Sequence, residues 1–463
     1  MGAAPRSRPS FTIVLVGLVG SMSGLLIGYC TAVIAPALGF IARDFALGPF
    51  LQGVAVSSVL LGGFVGALLA GGLIRRLGER PTLFLTAVLL IAGSIGSGLS
   101  DSFPAWLVWR SITGLAVGAA TMVGPLYVSE TAPAGLRGAL VSTVQLAITV
   151  GILVSYLAGA LWTASGNWQS MLLVGAVPGV VMLLVVAAVP ESPRWYLLHG
   201  RIADAERAHR RLAEGTGDAL PAQQAVAVDG SWRDLFVGRN LMVLVLATGL
   251  FMFANLSGID AILYYAPTIF AEVGFGGTHG PILATVGIGT INVLATVVAM
   301  ALIDRLGRRP LLIWGLVPMA ASLLLLAAAL LVGKGADWSN VAALACLGLF
   351  VLAFGVSLGP LPYVLMSELF PLALRGPGMG IASAAAWGIN VVVSLTFPVL
   401  IAAFGIALVF GFYGAVSVGA LLFVVALVPE TRGRSLELIE ANLAAGRAVR
   451  DLGMPLANRS SGG

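Results

Sequence analysis

Twelve long apolar runs, divided by short polar segments, set the pattern of this chain; they fall near 11–40, 49–73, 81–100, 104–128, 138–162, 168–189, 240–272, 281–303, 310–332, 341–367, 376–404 and 407–428. Bilayer hydrocarbon about 30 Å thick needs roughly 20 apolar residues in helical form, with every backbone polar group bonded inside the segment. Each run meets that need, so the pattern predicts an all-α membrane protein with twelve transmembrane helices. Two polar stretches carry a different period. Arg201 to Glu214 is amphipathic and dense in Arg on one face, and Leu436, Ile439 and Leu443 recur at helical spacing in the tail, which predicts short surface helices.

Composition agrees: 59% of 463 residues are hydrophobic, 10% are charged and the mean hydropathy is +1.01, far from a soluble domain. Charge then sets orientation, because Lys and Arg gather on the cytoplasmic side. With both termini inside, Arg43 and Lys334 lie outside, Arg110 lies within a helix, and the rest of the 25 basic residues are cytoplasmic. The net charge of +5 is this bias and calls for no nucleic-acid partner. The start, with Arg6 and Arg8, resembles a signal peptide, but the run behind it is too long and lacks a cleavage site, so an uncleaved first helix is expected. Arg6 also disfavours lipidation at Gly2. Cys30 and Cys346 both fall within spans, against a disulfide framework.

The cytoplasmic loops repeat. Residues 71–81 (GGLIRRLGERP) echo 301–310 (ALIDRLGRRP), 127–138 (YVSETAPAGLRG) echo 365–376 (LMSELFPLALRG), and Pro190-Glu191-Ser192 echoes Pro429-Glu430-Thr431. Three matched pairs in one order imply two pseudo-symmetric six-helix bundles, 1–189 and 240–428, joined by a cytoplasmic linker over 190–239 and followed by a tail over 429–463. Two related halves around a mid-membrane site are the plan of a secondary transporter working by alternating access.

Together these motifs resemble the sugar porter family of the major facilitator superfamily over nearly the whole chain. The resemblance rests on Arg76-Leu77-Gly78 with Asp304-Arg305-Leu306-Gly307-Arg308-Arg309, on residues 190–195 (PESPRW) and 429–435 (PETRGRS), and on Leu256-Ser257-Gly258-Ile259 followed by Tyr264-Tyr265-Ala266-Pro267. It implies the major facilitator fold, a sugar or polyol as solute, the lipid bilayer as surroundings, a monomer, and a bacterial inner membrane as location.

Loop charges suit a latch across the cytoplasmic mouth, with Glu130, Glu191, Glu368 and Glu430 as acids and Arg76, Arg80, Arg137, Arg194, Arg305, Arg308, Arg309, Arg375 and Arg432 as bases beside Asp304. Pairs that form in one state and break in the other bias the equilibrium between states. The plainer alternative is positive-inside anchoring. The first half departs from the family pattern, with Arg75 where an acid or amide is usual and Glu79 where a base is usual. The two are either a charge swap or a weaker first latch.

A sugar site combines amides with aromatics. The resemblance carries a sugar-contacting amide to Gln145, followed one and two turns on by Ile148 and Ile152, and further positions to Asn255, Asn292, Trp387 and Asn390. Asp260 stands where Asn is usual, Tyr363 where Trp is usual, and Ala254 and Asn255 where two glutamines are usual. Pro360 and Pro362 break the tenth helix, and Tyr264 and Tyr265 are the expected outer gate. Each aromatic or amide alone equally suits packing or an interhelical hydrogen bond.

Proton-coupled members carry an Asp after Gly-Tyr in the first helix, and here Gly28-Tyr29 is followed by Cys30. A neutral thiol does not shuttle protons as a carboxylate does, so the direct expectation is facilitative uniport. Arg110 stands at the position of the missing Asp's partner, and Asp260 is an intramembrane carboxylate, which keeps proton symport through Asp260 as the alternative. A carrier or exporter of another metabolite, including a cationic one, ranks third; residues 151–160 lack the proline of an exporter motif. The short tail argues against a transport-inactive nutrient sensor. His199, His209 and His279 lie in or near loops without a metal or nucleophile pattern, so neither an enzyme, a metal nor a cofactor is expected.

Overall fold

The computed structural model describes residues 11–133, 136–212, 232–277, 279–332, 338–434, 436–452 and 454. Among them there is no strand, and twelve helical stretches are long and apolar enough to cross a membrane. The first span is α1 (Phe11–Ala32) with α2 (Ile34–Asp44), followed by α3 (Pro49–Leu77), α4 (Glu79–Gly98), α5 (Phe103–Thr131), α6 (Arg137–Trp162) and the pair α7 (Trp168–Leu173) and α8 (Ala176–Ala188). Two short helices, α9 (Pro193–Leu198) and α10 (Ile202–Leu212), cross the surface. The second set is α11 (Gly238–Leu256) with α12 (Ile259–Val273), α13 (His279–Leu306), α14 (Arg308–Val332), α15 (Trp338–Val356) with α16 (Leu361–Leu369), α17 (Leu372–Phe404) and α18 (Ile406–Leu427). A short α19 (Leu436–Ala444) ends the helical order, so both surface helices expected from periodicity are present.

Four spans are broken, the sixth between α7 and α8, and in the other three the local reason is plain. Pro36 has no N–H to give the preceding turn, and the first span interrupts at Val33. Gly258 sits at φ +87°, where the Tyr413 ring would lie 2.5 Å from any Cβ, so only glycine fits the break between α11 and α12. Pro360 and Pro362 part α15 from α16, as the sequence predicts.

Within the first half α3 packs on α5 and α1 on α6, and within the second α14 packs on α18 and α15. The halves meet along α3 with α17 and α6 with α13, and α2 touches α12 on the side away from the Arg-rich loops. Ser57 Oγ donates to the Val391 carbonyl at 3.4 Å, and the Tyr156 hydroxyl donates to Leu263 at 2.7 Å, across that seam.

Candidate functional site

The breaks in the second half bring polar side chains together at mid-membrane. On α12 the Asp260 carboxyl lies close to the Tyr264 hydroxyl and to the Asn390 amide of α17. Asn390 is turned that way because Ser394 Oγ donates to its Oδ1 at 3.1 Å, leaving the NH₂ to face Asp260. One turn from this pair the Tyr265 hydroxyl donates to the Ser394 carbonyl at 2.7 Å, and its ring lies 5.0 Å from that of Phe397. Of the two tyrosines expected as the outer gate, Tyr264 therefore faces the carboxyl and Tyr265 is tied into the α17 packing.

Tyr363, on α16 just past the break, is 47% exposed although it lies deep in the second half; its ring meets Phe251 edge-on at 4.7 Å, and Asp260 is close enough to act on its hydroxyl. Trp387 of α17 lies against Gly63 of α3 on the seam between the halves. Asn292 of α13 is buried beside Gly355 of α15. Asn255 is half-buried and gives its Nδ2 to the Phe251 carbonyl at 2.8 Å, which occupies one of its amide donors within its own helix. From the first half, Gln145 on α6 is half-buried, and no hydrogen bond holds its amide among the described residues. Ile148 and Ile152 follow it along the face that meets α1. The Asp260, Tyr264, Asn390 and Tyr363 positions thus lie together; Gln145 and Asn292 are placed on other elements, and Trp387 stands about one turn before Asn390 on α17, facing α3.

In the first half, Cys30 is buried and its carbonyl accepts from the Arg110 guanidinium at 3.2 Å. Arg110 lies over the Trp106 ring at 5.7 Å, its Nε is buried without a partner, and no carboxylate pairs with it among the described residues.

The Arg-rich face holds two copies of one construction. Glu191 accepts the backbone N–H groups of Glu79 and Arg80 at 3.0 and 3.1 Å, and Glu430 accepts those of Arg308 and Arg309 at 3.1 Å each. Each carboxylate thereby meets the unpaired donors and positive end of a helix. The preceding Gly78 and Gly307 have φ of +101° and +93°, and a Cβ there would lie 2.3 and 2.8 Å from the carboxylates, so both must be glycine. Ser192 Oγ donates to Glu130 at 2.6 Å, and Thr431 Oγ1 donates to Glu368. These braces were not legible as such, because their donors are main-chain groups; the repeated Pro-Glu-Ser and Pro-Glu-Thr were the only trace.

The copies differ in their ion pairs. Arg308 reaches Glu368 through two nitrogens at 2.8 and 3.2 Å, whereas Glu130 has Arg194 at 3.8 Å. Neither pair joins the two bundles: Arg308 and Glu368 both belong to the second, and Glu130 of the first pairs with Arg194 of the linker. Arg75 is exposed, and among the described residues no ion pair joins it to Glu79. Arg80 and Arg309 give their side chains to the carbonyls of Ala187 and Val425 at 2.8 Å each. Arg432 is exposed and its N–H reaches Glu430 at 2.8 Å, while Arg76, Arg137 and Arg305 are exposed. The side chains of Asp304 and Arg375 lie outside those described, as does Lys334.

Two helix bundles meeting around a polar mid-membrane group, with paired loop motifs at one face, define a multi-pass secondary transporter. Residues 16–443 match the family model described as "Sugar (and other) transporter", and the chain belongs to that family. It is similar to a D-xylose transporter of Levilactobacillus brevis, at 37% identity covering 92% of this chain and 94% of that one. It is also similar to a galactose-proton symporter of Escherichia coli (strain K12), at 37% identity covering 97% and 98%. Its fold matches a partially occluded inward-open structure of the xylose transporter XylE from E. coli, with TM-score 0.79 and 33% identity over 92% of this chain and 100% of that one. The chain is thus a membrane transporter and not an enzyme.

Proposed function

We propose that this protein moves a sugar or related polyol across a bacterial inner membrane as a facilitative uniporter, with its Arg-rich face and both termini cytoplasmic. The observation that carries uniport is Arg110, left with a backbone carbonyl and a tryptophan ring where a proton carrier needs a carboxylate, because Cys30 occupies that place. The sugar reading is supported by the family, by the relatives' named solutes, and by the amide, carboxyl and phenol groups that converge at Asp260. The two halves are read as rocking units, 1–189 and 240–428; the reading is supported by ion pairs that do not join the two bundles and by the contact of α2 with α12 on the side away from the Arg-rich loops.

Uptake of labelled hexoses, pentoses and inositol into proteoliposomes, with and without an inward proton gradient, tests this. Equilibration to one level in both conditions is expected, and Cys30→Asp, with Arg110 intact, is expected to confer gradient-driven accumulation. Accumulation by the unaltered protein only under the gradient would overturn uniport. It would favour a second reading, proton symport through Asp260, which is supported by that carboxyl's place beside Tyr264 and Asn390; Asp260→Asn would then abolish the accumulation.

A further inference from the structure

At the Arg-rich end of the first half, Glu79 opens α4 with its side chain 2% exposed, and its Oε2 is buried without a hydrogen-bond donor. Its neighbours are two further acids: Glu191, which accepts the Glu79 N–H, and Glu130 of α5, held beside Glu191 by Ser192, which gives its N–H to one and its hydroxyl to the other. The surrounding donors are already committed. The Glu79, Arg80 and Ser192 N–H groups go to Glu191, the Tyr127 hydroxyl of α5 goes to the Pro190 carbonyl at 2.6 Å, and the Ser192 hydroxyl goes to Glu130. Of the nearby cations, Arg80 gives its guanidinium to Val186 and Ala187, and Arg211 of α10 gives its own to Ala188 at 3.3 Å. Arg194 of α9 remains, 46% exposed and 3.8 Å from Glu130. Burial also pushes the Glu191 carboxyl up, against the lowering effect of its three N–H partners, so the loop beside the pair offers no surplus of positive charge.

Neighbouring carboxyls shielded from water, one of them with an oxygen that no donor reaches, are not all ionised; a proton held between two of them relieves the repulsion. In the second half the same place is taken by Arg308, which supplies Glu368 with a permanent cation. We propose that a single proton bridges Glu79 and Glu130, making the first half's brace a proton-binding site apart from the solute path. The proton does there what Arg308 does in the second half. Its loss as pH rises leaves two buried like charges, so the Pro190 to Arg194 segment loosens toward alkaline pH while the second half does not respond.

Infrared difference spectra of the full chain in lipid vesicles, between neutral and alkaline pH on both sides, read this directly. An Asp260→Asn background removes the carboxyl beside Tyr264 and Asn390 from the spectrum. A protonated-carboxyl C=O band that disappears on alkalinisation is expected in that background, and is expected to be absent after Glu79→Gln or after Glu79→Arg, which installs the ion pair of the second half. The thermal midpoint is expected to fall with rising pH in the parent and to lose that slope in both variants. If band and slope are unchanged by Glu79→Gln, the shared proton does not exist. If the Glu79 variants fail to fold, Glu130→Gln provides the same comparison from the other carboxyl, and the same persistence of the band would overturn the proposal.

Discussion

The two loop clusters are built to one plan and charged differently. Both clamp the start of a helix with a carboxylate, both place a glycine where a side chain would collide with it, and both tie a hydroxyl to the acid of the neighbouring helix. Only the second completes the cluster with a close arginine-carboxylate pair from the head of the clamped helix, Arg308 to Glu368 at 2.8 Å; the first has the more exposed Arg194 at 3.8 Å from Glu130. The difference shows that the clamp and the ion pair are separable devices: the clamp holds each half together, and the pair tunes how one half holds its charge.

The largest change is expected from breaking the clamp itself. Glu430→Ala strips the acceptor from the Arg308, Arg309 and Arg432 N–H groups, at a cost on the order of 3 kcal/mol, read as a lower thermal midpoint in detergent. Glu191→Ala should lose a similar amount, and a much smaller loss would mean that the first clamp is not the equal of the second. Next in size is Arg308→Glu, which copies the first half's acid into the second. It removes a largely buried pair, with side chains 12% and 22% exposed, at about 2–3 kcal/mol, and should give the second half the alkaline sensitivity of the first. The smallest effect is expected at Arg137, which is exposed; Arg137→Ala should change stability by less than about 0.5 kcal/mol, read as a nearly unmoved thermal midpoint, while leaving both clamps intact.

How far the sequence carried this reading depends on what each feature is made of. The spans were legible because lipid demands long apolar helices, and the break at Pro360 was legible because proline removes a donor. The break at Gly258 was not: Leu256-Ser257-Gly258-Ile259 reads as continuous helix, since one glycine costs only about 1 kcal/mol and tertiary contact with Tyr413 decides the outcome. At the site, Asp260, Tyr264 and Asn390 were visible as unusual polar residues in apolar runs. The part of Ser394, which turns the Asn390 amide, was not, because a serine in a membrane helix normally bonds its own preceding turn. Glu191 and Glu430 stood out as acids, yet their partners lie 112 and 122 residues away and are main-chain groups, which leave no residue type to read.

That last property explains how the duplicated motif has drifted. A carboxylate that grips amide hydrogens is indifferent to the side chains those amides belong to, so long as the glycine before them remains. The residue at the head of the helix is consequently free to change sign, as Glu79 and Arg308 have done, without unfastening the bundle. A gene copy can therefore experiment with new chemistry at its inner rim while its architecture is insured by atoms that every amino acid but proline shares.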